Sequence, residues 1–137
     1  MPNALRIAAR LLTGSTYVKL GYDAARTPGG RVDLAAPVLA KVRAVVPLPV
    51  SDEQLVRANA AVQVAGGAML AAGVFPRAAA TAVIGSLIPT TLAGHAFWAI
   101  DDPAQRKQQQ VQFHKNMALI GGLAFAVLDH GRRRSST

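Results

Sequence analysis

The sequence predicts an all-α integral membrane protein, a four-helix bundle with an interfacial segment between helices 1 and 2. Three observations lead there. Ala78 to Ile100 is 23 residues long and contains no Asp, Glu, Lys or Arg, the length of an α-helix crossing the ~30 Å hydrocarbon layer of a bilayer. Ala58 to Phe75 is a second such run, of 18 residues. Most of the basic residues lie at the flanks of these runs, whereas a surface helix of a soluble domain needs a polar stripe along its length. The mean hydropathy of +0.26 is modest because Ala supplies much of the apolar count. A soluble Ala-rich helical bundle is the alternative on composition.

The 137 residues form one domain, enough for four spans with connections. The first span, at about 4–24, is the least apolar because it carries Arg6, Arg10 and Lys19. A central Arg or Lys costs ~2.5–3.5 kcal/mol on insertion scales. Arg10 and Lys19 stand about 13 Å apart along a helix, so both must snorkel outwards with support from neighbouring helices. No small-residue cleavage site follows a short apolar core, so this helix is expected to act as an uncleaved anchor.

Arg26-Thr-Pro-Gly-Gly-Arg31 is a turn-rich break. After it, Leu34, Val38, Val42 and Val45 recur at helical spacing among Arg31, Lys41 and Arg43. That pattern predicts an amphipathic interfacial segment at about 31–46, started or interrupted by Pro37 and ended by Pro47 and Pro49. Ser51-Asp-Glu-Gln54 has the form of a capping box and starts a second span at about 55–75.

Pro76-Arg77 turns the chain into the third span, about 77–98, which Pro89 should kink, with Thr90 or Thr91 available to freed carbonyls. Asp102 and Pro103 then mark another helix start, as N-cap and first helical residue. This helix opens outside the bilayer with the polar AQRKQQQVQ and crosses at about 110–129, meeting lipid near Phe113. Its outer turns suit solvent, headgroups or a partner protein. Gly66, Gly67, Gly73, Gly85, Gly94, Gly121 and Gly122 are expected to allow close helix–helix approach.

With no cysteine, disulfides, thiolate metal sites and CxxC exchange are excluded. The formal charge of +8 fits a membrane-flanking role. No basic and aromatic platform for nucleic acid is present, so none is expected as a partner. Four spans put both termini on one side, with six Arg against nine Lys and Arg on the other. Six of the seven acids lie on that second side, and the first carries the dense Arg132–Arg134 cluster. Weighting that cluster over the bare count, both termini are expected in the cytoplasm.

Alternating spans bring polar residues into one leaflet. Lys19 and Asp23 end the first helix and share a face at i, i+4. Arg57 and Asn59 begin the second, His95 ends the third, and Lys115 and Asn116 begin the fourth, with Tyr22 and Trp98 at the interface. Such a layer suits an anionic or carbonyl-bearing amphiphile: a quinone head, a phospholipid headgroup or a small oxyanion. Lys19, Arg57 and Lys115 would supply charge, and His95 would donate to an oxygen or relay a proton. The plainer reading makes the cations snorkelling anchors and His95 a helix-packing hydrogen bonder. His114 and His130 have no HxxxH or HxxxE partner, so no metal or haem site is expected. No nucleophilic triad or phosphate loop is present, and nothing marks an autonomous enzyme.

Several stretches together resemble the DoxX family of small bacterial membrane proteins. They are R-L-L-x-G-x-x-Y-x-K-L-G from Arg10 to Gly21, Gly66 to Arg77 ending in G-V-F-P-R, H-A-F-W from His95 to Trp98, and F-H-K-N-M-A-L-I-G-G-L from Phe113 to Leu123. The Arg26–Val50 region has no matching signature. The resemblance implies a four-helix protein of the bacterial cytoplasmic membrane. It implies an accessory or anchor subunit of a redox-linked complex, with other membrane redox proteins and the lipid bilayer as partners. Relatives include the membrane subunit of a thiosulfate:quinone oxidoreductase, so a quinone-reducing component is the alternative and a quinone the cofactor implied. A lipid-binding or small-molecule carrier protein is the third reading. Carried over, Lys19, His95, Trp98, Lys115 and Asn116 are the positions implicated.

Overall fold

A computed structural model describes residues 2–129; His130 and the Arg132–Arg134 cluster lie outside them. The described chain is all-α and contains no strand. Its helices are α1 (Pro2–Arg26), α2 (Gly30–Arg43), α3 (Asp52–Ala72), α4 (Pro76–Gly94) and α5 (Pro103–Asp129), with a 3₁₀ turn at Phe97–Ala99. Three helical stretches are long and apolar enough to cross a membrane: Asp52–Ala72, Pro76–Ala99 and Pro103–Leu128. These mark the chain as a membrane protein. The charges of α1 keep it out of this set, although its 25 residues suffice in length.

The long helices form an antiparallel row, α1–α3–α4–α5. α1 packs chiefly on α3, and α5 packs on α4 and the 3₁₀ turn, while α2 lies against α3 and α4. Small residues set the α1–α3 spacing. A Cβ on Gly14 would stand 2.4 Å from the Gly67 carbonyl oxygen, and one on Gly21 would stand 2.8 Å from that of Ala60. Gly14, Tyr17 and Gly21 on α1 face Ala60, Gln63 and Gly67 on α3, a heptad-like 3–4 spacing on both sides. On the other side of α3, Gly66 admits Val83 and the Ala79 carbonyl of α4. The core gathers Tyr17, Leu70, Ala79, Ala80, Val83, Leu87 and Leu123.

Of the glycines expected to mediate packing, Gly66 and Gly67 do so. Gly73 instead caps α3 at φ 73°, where a side chain would also strike the Arg10 guanidinium. Gly85, Gly94, Gly121 and Gly122 have open space where a Cβ would project.

Local signals hold where they are covalent or short-range. Ser51 and Gln54 form the reciprocal capping box of α3. Asp102 accepts from the Gln105 N–H at 2.7 Å, and Pro103 opens α5. The polar stretch before Phe113 is already helical, so α5 begins seven residues ahead of the expected span at 110. Pro37 sits inside α2 rather than at its start, and Arg43 closes the following loop by bonding Asp52 and the Val50 carbonyl. No α2 side chain is buried.

Candidate functional site

The polar residues divide into an internal seam and an external set. The seam is built around Pro89, which lies inside α4. Its missing N–H leaves the Gly85 carbonyl without a helical donor. The neighbouring threonines bond one and two carbonyls further on: Thr90 Oγ1 donates to Ser86 O at 2.8 Å and Thr91 Oγ1 to Leu87 O at 2.7 Å. These i−4 back-bonds leave each threonine oxygen free to accept. Asn59 Nδ2 donates to Thr90 Oγ1 at 2.9 Å, Gln63 Nε2 reaches the same oxygen at 3.4 Å, and Ser86 Oγ donates to Asn59 O at 3.2 Å. On the opposite side of α4, Asn116 Nδ2 donates to Thr91 Oγ1 at 3.0 Å. One turn outwards His95 Nδ1 and Gln109 Oε1 lie 2.7 Å apart, so the Nδ1–H tautomer donates.

The seam therefore joins α3 to α4 and α4 to α5 with part-buried side-chain hydrogen bonds. Interhelical bonds of this kind fix register. Of the residues expected to converge, His95 and Asn116 belong to it, with Asn59.

The others face outward or pair locally. Lys19 bonds Asp23 at the i, i+4 spacing read from the sequence, on the flank of α1 away from α3. Arg57 donates to Glu53 and, across the helix pair, to the Ala25 carbonyl at 2.8 Å. Its charge is thus held at the open end of α1 and α3. Trp98 packs edge-on against Phe97 and Phe113, with ring centroids 5.2 and 5.8 Å away. It remains exposed, as an interfacial aromatic does. Lys115 lies on the face of α5 turned away from α4, beside His114.

Sequence reasoning missed Gln63, Ser86 and Gln109, and gave Thr90 and Thr91 only as partners for carbonyls near Pro89, not as acceptors for Asn59 and Asn116. A signal was available: Asn59/Gln63 and Ser86/Thr90 are both i, i+4 polar pairs inside charge-free runs. A second unexpected group is Tyr17, 1% exposed, whose hydroxyl has no hydrogen-bond partner among the described residues.

Between α4 and α5 a small crevice of about 90 Å³ is lined by Ile88, Thr91, Leu92, Phe113, Met117 and Ile120. Small-molecule pockets usually run from roughly 300 to 1,000 Å³. No group of three or more His, Cys, Asp or Glu able to hold a metal exists among the described residues. Comparison with protein-family models, with curated proteins and with solved structures returns no match.

Proposed function

We propose that the chain is a four-span membrane bundle with α2 as an interfacial segment. Its role is that of a non-catalytic accessory or anchor subunit of a redox-linked complex in the bacterial cytoplasmic membrane, with both termini cytoplasmic. One observation carries the subunit reading. α5 is a 27-residue helix held along one side only, by α4 and the 3₁₀ turn. A helix that long with so little of its surface covered offers a free flank to lipid and a partner, and its Gln-rich outer turns project beyond the apolar run.

The fourth span rests on register. α1 runs antiparallel to α3 from Arg10 against Gly73 to Ala25 against Arg57, nearly the whole length of α3. It therefore shares the depth of a helix apolar enough to cross, and Lys19 enters that depth already paired with Asp23. The redox link rests on the DoxX-like stretches alone.

The seam favours the accessory role over a quinone-reducing one. His95 Nδ1 and Asn116 Nδ2 are engaged by Gln109 and Thr91, and the adjoining crevice is small. Gentle-detergent purification from native membranes, read by mass spectrometry, separates the readings. A stoichiometric redox protein supports the subunit assignment. Copurified quinone, lost in His95→Ala while the fold persists, would replace it with the quinone-site reading.

A further inference from the structure

The outward face of α5 changes character in two turns. Lys107, Gln110, His114 and Lys115 lie on it, together with Val111 and Ala118, around an open concavity of about 490 Å³. Gly121 and Gly122 continue the same side towards the apolar end, with nothing within 4 Å of where a Cβ would stand. The polar part ends at Lys115 and the apolar part begins at Met117, so the two meet where the helix passes from headgroups into hydrocarbon. Lys107 and Lys115 are eight residues apart, about 12 Å along the axis, and both long side chains can converge on one height by snorkelling.

Charge selects the occupant. Lys19, Arg43 and Arg57 each have a carboxylate. Lys107 and Lys115 make no ion pair or hydrogen bond among the described residues, and neither Asp101 nor Asp102 reaches them. His114 Nδ1 lies 2.8 Å from the Gln110 carbonyl, which leaves Nε2 facing the medium. A second copy meeting this face about a two-fold axis would set lysines against lysines, whereas an anionic phospholipid supplies a phosphate at the right height and a chain for the groove beyond it.

We propose that the outward face of α5 is a binding site for an anionic phospholipid. Lys107 and Lys115 hold the phosphate, Gln110 offers an amide donor, and an acyl chain lies along Ala118 and Gly122. This rests on α5 crossing the membrane, and not on the subunit assignment.

Trp98 is the sole tryptophan and touches Phe113, the neighbour of His114, so it reports lipid next to this end of α5. The purified full chain is reconstituted in phosphatidylcholine vesicles containing an equal minor fraction of brominated phosphatidylglycerol or brominated phosphatidylcholine. Brominated phosphatidylglycerol should quench Trp98 more strongly, with an enrichment of about fivefold per lysine, the factor one basic residue contributes near an anionic surface. The preference should vanish in Lys107→Gln/Lys115→Gln and persist in Arg31→Gln/Lys41→Gln, which removes the same charge from α2. Both lysines are exposed and unpartnered, and helix content by circular dichroism confirms that each variant is folded.

Equal loss of preference in both double variants would show diffuse attraction and overturn the site. Absence of any preference in the unmodified chain would overturn it too, leaving the face to a protein. Abolition of the preference by soluble glycerol phosphate would reassign it to a free anion, against the lipid proposal. Each result is read without a partner protein, so it stands apart from the test of the subunit role.

Discussion

Single residues decide how closely the helices approach, and the glycines fall into two kinds. Gly14 and Gly67 are mutually locked: a Cβ on either would stand within 2.7 Å of the other's carbonyl oxygen. Gly67→Leu, and to a lesser degree Gly67→Ala, should destabilise by about 1–3 kcal/mol, the range for overpacking. Thermal unfolding in detergent, followed by circular dichroism, measures it. Gly121→Ala meets open space and should be neutral, or stabilising by roughly 0.5–1 kcal/mol through helix propensity. Equal losses at the two positions would contradict the packing described. Sequence alone does not separate these kinds, because both read as small residues in apolar runs. What distinguishes them is the helix opposite, a tertiary fact. Gly73 was legible only as a packing glycine, yet its φ of 73° makes it a helix cap. The αL conformation of Phe75, at φ 42°, has no sequence signal at all.

At the scale of elements, the short-range signals were legible and the cross-helix ones were not. The capping box at Ser51 and the Asp102–Pro103 start obey local stereochemistry, so residue type and spacing suffice to find them. Ser51→Ala should cost about 1 kcal/mol, seen as a lower unfolding midpoint and fraying of the first turn of α3 in amide exchange. The seam required knowing which helix faces of α3, α4 and α5 meet. His95, Asn59 and Asn116 were visible as polar residues near one end of the spans, but their pairing with Gln109, Thr90 and Thr91 was not. Lys19 and Lys115 face elsewhere, because height along the row is fixed by helix order and facing by rotation about each helix. A double-mutant cycle on Asn59→Ala and Thr90→Ala should give a coupling of about 0.6 kcal/mol, the average for interhelical hydrogen bonds in membranes. Coupling near zero, with each single variant destabilised, would place the two side chains out of contact.

For the whole molecule, membrane character was plain from composition while the antiparallel row of helices was not. Uncharged length is counted residue by residue, and three stretches meet that standard. α1 does not, and it owes its place to α3: Gly14 and Gly21 seat it against Ala60 to Ala71 of its neighbour. The proposed crossing of α1 beside α3 places the ends of the chain's long helices alternately on two sides. The chain contains no cysteine, so single cysteines at Asn3, Thr27, Val74 and Asp101 can be probed with a membrane-impermeant maleimide in oriented vesicles. Asn3 and Val74 should react from one side, and Thr27 and Asp101 from the other. Reaction of Asn3 and Thr27 from the same side would contradict the crossing, showing that α1 lies along the membrane surface.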